Sequence, residues 1–255
     1  MRLANYTSPD VRALGVEQLV VIAPLGSFEQ HGPHLPLTTD TDLVTAVAEG
    51  VEAALPDHVL LLPTLWIGHS THHMRFPGTL DIPQMHYIAV VQDLCRSILA
   101  MGAVKVLLLN GHGGNDIPVR AALREVKTEL NGRSGVHVLY SAYWMLAAAS
   151  IRQIRESETG GLGHACEMET SLMLHLHPDR VRMELARRDG PRHASPYRKA
   201  DMQLAKPVYG VNEFHEISES GVVGHPDLAT AQKGKRFFDA IVADTRAFIE
   251  DFLTW

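Results

Sequence analysis

Four short apolar runs limit what this 255-residue chain can fold into. They are Leu19 to Leu25, Val59 to Trp66, Val104 to Leu109 and Val136 to Tyr140, each dominated by Val, Ile and Leu. Runs of this kind, with little polar alternation, read as strands buried on both faces, the pattern of a parallel sheet covered by helices. The segments between them carry helical periodicity. Leu43, Val44, Val47, Ala48 and Val51 recur at three- and four-residue spacing, with Asp40 or Thr41 near the cap. A second helix is expected from His86 to Met101, stopped by Gly102, and a third from Ile117 to Leu130 with Pro118 in its first turn. Later helices are expected at 143–155, 169–175 and 228–252, while 187–226, rich in Pro, Gly and His, is expected to be irregular. Strand and helix alternate at least four times, so the expectation is an α/β fold in one domain, 1–255, with a mainly parallel central sheet between helical layers.

This architecture has a consequence for function. Right-handed crossovers place every strand-to-helix loop on one edge of the sheet. The loops at 26–40, 68–79 and 110–116 all leave carboxyl ends of strands, and all carry histidine. They should converge where open α/β sheets bind ligands.

Composition narrows the partners. A net charge of −6 without a basic run argues against nucleic acid, and no apolar stretch approaches the ~20 residues that span a bilayer. The start lacks a basic-then-apolar leader pattern, and two cysteines form no disulfide framework, so a cytoplasmic location is expected. Fifteen histidines are the unusual count, and histidine is both the commonest metal ligand and the usual acid/base group near neutral pH.

The first loop, GSFEQHGPHLPLTTDTD, places Glu29 and His31 two residues apart, a spacing that points both side chains to one side of an extended segment. Asp40 follows just before a helix, where it can cap that helix or face back toward the strand end. Glu, His and Asp together suit Zn, Mn or Fe(II), and an aspartate can bridge two ions. NGHGGN, at 110–115, sets His112 among three glycines that allow close backbone approach to an ion. A phosphate cradle is the alternative there, but the segment matches neither GxGxxG nor a P-loop and has no lysine in place. GHSTHHMRFPGTL offers His69, Ser70, His72 and His73, of which at most one of the adjacent pair can aim at a given ion. GHACEMETS carries His164, Glu167 and Glu169, and His164 and Glu167 would share a face if both were helical. A Cys166–His nucleophile is an alternative, against which stands the frequency with which cysteine is simply buried. There is no HExxH pattern.

Taken in order, GSFEQHGPHLPLTTDTD, FPGTL, NGHGGN, HACEMETS and GVVGHPDLAT resemble the creatininase (creatinine amidohydrolase) family across most of the chain. The resemblance implies a three-layer α/β/α fold, two divalent metal ions, and hydrolysis of an amide or cyclic-amide C–N bond of a small polar substrate by a bridging hydroxide. It also implies homo-oligomers such as hexamers. Carried over by position, Glu29 and His112 hold one ion, His31 the other, and Asp40 bridges them. His164 matches the family's catalytic histidine. Creatininase itself has a glutamate ligand two residues after the NGH histidine, where this chain has Gly114. The expectation is that Glu167 takes over as ligand and catalytic group. Ser70, His73 and Trp144 are expected to contact substrate. Relatives acting on formamides, peptides or oxidised cyclic polyols offer alternative substrates, and a non-catalytic metal-binding oligomer is the alternative from another class.

Overall fold

The computed structural model describes residues 1–191, 197, 201–204 and 208–255. Its elements run α1 (Ser8–Ala13), β1 (Val20–Leu25), α2 (Thr39–Ala54), β2 (Val59–Leu61), α3 (Gln84–Ala100), β3 (Lys105–Asn110), α4 (Asp116–Glu129) and β4 (His137–Ala142). Then follow α5 (Tyr143–Leu146), α6 (Ala148–Ile154), β5 (Leu162–His164), α7 (Glu167–Leu176), α8 (Phe214–Ile217), β6 (Val223–Gly224) and α9 (Ala231–Phe252). The main sheet has strand order β2-β1-β3-β4, with every pairing parallel. Strands β5 and β6 form a separate antiparallel ribbon.

Helices cover both faces. Val20, Ile22, Leu107 and Leu109 face a core shared with α2, α7 and α9, while Val21, Ala23, Val106 and Leu108 face one shared with α3 and α4. Successive residues of one strand thus enter opposite cores, which is why these strands are apolar throughout. On α9, Phe237, Ile241, Ile249 and Phe252 are fully buried. Truncating one of these phenylalanines to alanine should cost about 3–5 kcal/mol.

Register brings the loops together. Leu25 pairs with Asn110, and Asn110 with Ala142, so β1, β3 and β4 end at the same level. The loops that follow β1 and β3 therefore start side by side.

Three expectations need correcting. The second strand ends at Leu61 rather than Trp66, although Leu62 and Leu65 still donate to Ile22 and Pro24 carbonyls. Pro63 has no N–H to continue a ladder. The helix expected over 143–155 is broken into α5 and α6 at Ala147. The 187–226 stretch, part of which lies outside the described residues, contains α8 and β6.

Candidate metal centre

The site is built at the sheet edge from three loops and the start of two helices. Asn115 ties the loops together. Its amide donates to Gly26 O (3.1 Å) and to Asn110 Oδ1 (3.1 Å), and its carbonyl accepts from His69 N (3.0 Å). Asn110 in turn holds His112 at both ends of the backbone, donating to its carbonyl at 2.5 Å and accepting from its N–H at 3.2 Å. The two asparagines of NGHGGN are braces, and the histidine between them is what they position. Gly111 lets this loop lie against α2, because a Cβ there would sit 2.7 Å from Val44 Cβ and 2.9 Å from Asp40 O.

Glu29, His31, Asp40 and His112 meet in the interior, each at most 3% exposed. His112 Nε2 lies 3.0 Å from the His69 carbonyl, which accepts its proton and leaves Nδ1 3.2 Å from Glu29 Oε1 and 3.0 Å from Asp40 Oδ2. His31 repeats the arrangement. Its Nδ1 is 3.2 Å from the Glu29 carbonyl, and its Nε2 is 3.0 Å from Asp40 Oδ1. A carbonyl on the far nitrogen with the near nitrogen turned toward carboxylates is how metal-ligating imidazoles are oriented. Asp40 lies between the two rings.

The carboxylates fit a cation as well. Glu29 Oε2 accepts from Ser27 Oγ at 3.1 Å, but Glu29 Oε1 and Asp40 Oδ2 are buried without a hydrogen-bond partner. His112 Nδ1 lies 3.2 and 3.0 Å from these two atoms, as an ion pair when that ring is protonated. Buried carboxylate oxygens left in this way are costly, and a cation between them removes the cost. Glu29, Asp40 and His112 form one possible ligand group, and His31, Asp40 and Glu169 another, each offering atoms within 4.8 Å of one another. The residues present suit bound divalent metal.

The imidazoles separate into charged and neutral sets. Burial alone would lower the pKa of His31, but the Asp40 carboxylate outweighs it and raises the pKa to about 9. His112 is likewise raised well above its ordinary value, Glu29 and Asp40 outweighing burial. Conversely, burial and the neighbouring His31 push His164 down to about 3, and burial keeps His73 well below its usual range. His164 Nε2 is 2.7 Å from the Gln30 carbonyl, which fixes the proton on that nitrogen. Its Nδ1 lone pair is then directed into the site, 3.8 Å from Glu29 Oε1. Glu29, His31 and His164 also group within 4.8 Å. His73 accepts from Gln30 Nε2 at 2.9 Å and sets its Nε2 3.2 Å from Glu29 Oε1.

Glu167 is placed elsewhere, contrary to expectation. Its Oε1 accepts from Lys233 Nζ (2.7 Å) and Glu156 N (2.9 Å), and its Oε2 from Ser157 N (2.8 Å). The expected His164–Glu167 helical face does not form, because His164 ends β5, Ala165 turns the chain at φ 49°, and α7 begins only at Glu167. Two residues along a helix is a rotation of roughly 200°, so Glu169 faces the cluster that Glu167 cannot reach. Ser70, expected to contact substrate, is fully buried, bonds Ser27 Oγ at 2.6 Å and comes within 3.3 Å of His112 Nε2. Trp144 is 7% exposed and packs in the core, its ring edge-on to Tyr143 at 5.1 Å. His34 bonds Thr170 and Asp42 pairs with Arg180, both in supporting positions. Cys166 is a fully buried thiol whose pKa burial drives well up, unsuited to nucleophilic attack.

Sequence reasoning named Glu169 without giving it a ligand role, and it missed Phe214, on α8, whose ring stacks on His73 at 3.9 Å and 26° and meets His164 edge-on at 4.7 Å. Nothing in a short Asn-Glu-Phe-His stretch signals that role.

Comparison with known proteins identifies the family. The family model for creatininase (creatinine amidohydrolase) matches residues 4–249. The mycofactocin precursor peptide peptidase of Mycobacterium tuberculosis is 35% identical over 232 residues, covering 88% of this chain and 82% of that protein. The creatinine amidohydrolase of Pseudomonas putida is 32% identical over 193 residues, covering 70% of this chain and 72% of that protein. A solved structure of the manganese form of creatininase superposes with a TM-score of 0.83 at 26% identity, over 98% of this chain and 97% of that one. The chain therefore belongs to the creatininase family of metal-dependent amidohydrolases.

Proposed function

We propose that this protein, acting as one domain over residues 1–255, hydrolyses an amide C–N bond of a small polar substrate at a centre of two divalent cations. One observation carries the reading: Glu29, His31, Asp40 and His112 converge in the interior with two carboxylate oxygens left without hydrogen bonds. Glu29, Asp40 and His112 would hold one ion, His31 and Asp40 the other. Zn, Mn and Fe(II) all suit this mixture of imidazole and carboxylate. Once bound, such ions acidify a water to near-neutral pKa and polarise a carbonyl.

The chain's own groups do the rest. Ser27 and the His69 carbonyl fix the orientation of Glu29 and His112 before any ion arrives. His164, its Nε2 proton held by the Gln30 carbonyl, offers Nδ1 to carry a proton from the attacking water to the leaving nitrogen. His73 and Phe214 wall the same face, so the amide-bearing group would pack against an imidazole and an aromatic ring.

A peptide is the form of amide that relatedness favours, given the 35% identity with a peptide peptidase over 88% of the chain. A homo-oligomer would bury Trp66, Met74 and Leu80, which are 49%, 53% and 45% exposed. Two free, buried cysteines suit a reducing cytoplasm. Among the described residues, no helix is long and apolar enough to cross a membrane.

The test is a substrate panel offered to protein loaded with Mn or Zn: short peptides, lactams, formamides and cyclic polyketones. Release of amine from a peptide or lactam is the expected result. Turnover confined to the polyketones would replace C–N by C–C cleavage, and metal binding with no turnover would leave a binding protein.

A further inference from the structure

We propose that Gln30 is a positioning residue that makes His73 present an N–H, and His164 a lone pair, to the same point of the centre. The use made of these two groups rests on the hydrolytic reading above; their arrangement does not.

Every polar group of Gln30 is engaged, and the residue is 5% exposed. Its backbone N–H donates to Thr79 Oγ1 at 3.2 Å, and its carbonyl accepts from His164 Nε2 at 2.7 Å. In the side chain, Oε1 accepts from Gly32 N at 2.9 Å, and Nε2 donates to the Gly221 carbonyl at 3.1 Å. A backbone donor at one end of the amide and a backbone acceptor at the other fix which end is oxygen. The amide is seated against bare backbone. Gly221 has φ 83°, and a Cβ there would collide with Gln30 Oε1.

Proton positions on both rings follow. Gln30 Nε2 lies 2.9 Å from His73 Nδ1 and can only donate, so Nδ1 accepts. A ring that accepts at Nδ1 is neutral and carries its proton on Nε2. His164 faces the backbone carbonyl of residue 30, which can only accept, so its proton is also on Nε2 and its Nδ1 keeps a lone pair. Gln30 Nε2 comes within 3.2 Å of His164 Nε2 as well, but His73 and Gly221 take the two amide hydrogens. The rings share one tautomer and are turned opposite ways.

Their free edges converge. His73 Nε2 is 3.2 Å from Glu29 Oε1, and His164 Nδ1 is 3.8 Å from the same atom. The ring centroids are 4.7 Å apart. An amide held beside Glu29 would meet a donor for its oxygen and an acceptor for the proton of the attacking water. A donor preset toward a developing oxyanion costs no reorganisation during the reaction. With its proton on Nδ1, His73 would turn a lone pair toward that oxygen instead.

The experiment reads the tautomers directly, without turnover. Two-bond nitrogen–proton correlation spectra are recorded on full-length protein, metal-free and loaded with diamagnetic Zn(II). The two signals are identified by their loss in His73→Gln and His164→Gln. In wild type both rings are expected to carry the proton on Nε2. Gln30→Glu keeps the shape but has no donor, so the His73 proton should move to Nδ1 while His164 stays unchanged. Gln30→Met should lose the pure Nε2–H signature of His73. Zinc content should match wild type in both. On an amide that wild type turns over, kcat should fall about 10²–10³-fold in Gln30→Glu with little change in KM. A wild-type His73 protonated on Nδ1, with Nε2 free or bound to zinc, would overturn the arrangement whether or not the variants fold. So would an unchanged His73 tautomer in both variants. A moved proton with an unchanged rate would overturn the use assigned to His73, and a wild type that cleaves no amide would overturn the hydrolytic reading alone.

Discussion

Lys233 Nζ meets Glu167 Oε1 at 2.7 Å, in a pair whose side chains are 5% and 0% exposed. This bond engages Glu167, the first acidic residue of α7, on the side away from the candidate metal ligands. Breaking a buried pair from one side strands a charge, typically at 3–5 kcal/mol. Two backbone N–H groups would still serve Glu167, so Lys233→Met should cost about 3 kcal/mol, the lower end of that range. Urea unfolding measures it, and metal content should not change.

Gly114→Ala is expected to disturb His112 directly, since its Cβ collides with the ring and with the carbonyl that orients it. Overpacking of this kind costs about 1–3 kcal/mol. The loss should appear as a lower melting temperature together with weaker binding of the first ion in a calorimetric titration. An unchanged first-ion affinity would show that the loop yields without moving His112.

Roles within the cluster separate in two variants. Asp40→Ala removes the group between His31 and His112 and should lose both ions. His164→Ala should keep both and lose about 10²–10⁴-fold in turnover of whichever amide the panel identifies. Equal metal content and equal rate in the two variants would contradict the assignment.

Much of this was legible in the sequence, and each failure has its own physical cause. The sheet could be read because strands buried on both faces must be apolar at every position, as Val20 to Ala23 and Val106 to Leu109 are. Glu29, His31, Asp40 and His112 could be read because parallel topology carries their loops to one edge. Glu167 was misread because the pairing with His164 assumed a helix that the turn at Ala165 delays, and that delay rotates Glu169 inward. The bond between the Ser70 and Ser27 hydroxyls joins two loops 43 residues apart, which spacing alone does not reveal. Phe214 was invisible because it approaches from α8, far along the chain and without periodicity.

Loading with metal should expel protons. At neutral pH His31 is held protonated, its pKa raised to about 9, and an ion must displace that proton. Binding enthalpies measured at pH 7 should therefore differ between buffers of different ionisation heat. In the metal-free chain, the raised pKa means that the stabilisation from His31 is fully present below about 6.5 and is lost as pH rises through about 9. Chelation should also lower the melting temperature, since a ligand at 100 times its dissociation constant stabilises by about 2.7 kcal/mol.

Phe214 covers a centre whose histidines 73 and 164 are only 1% and 7% exposed. Phe214→Ala should open that face. Metal removal by a small chelator, followed as a rate, should be several-fold faster than in wild type while the number of ions at equilibrium stays the same. An unchanged rate would mean that ions enter and leave by another route.

The central claim, a two-cation amide hydrolase, is tested most directly by titrating metal-free protein with Mn(II) while amine release from a peptide and lactam panel is followed in the same samples. The account predicts little activity through the first equivalent and a rise to full rate with the second. Full activity at one equivalent, or two bound ions with no amine released from any amide, would contradict it.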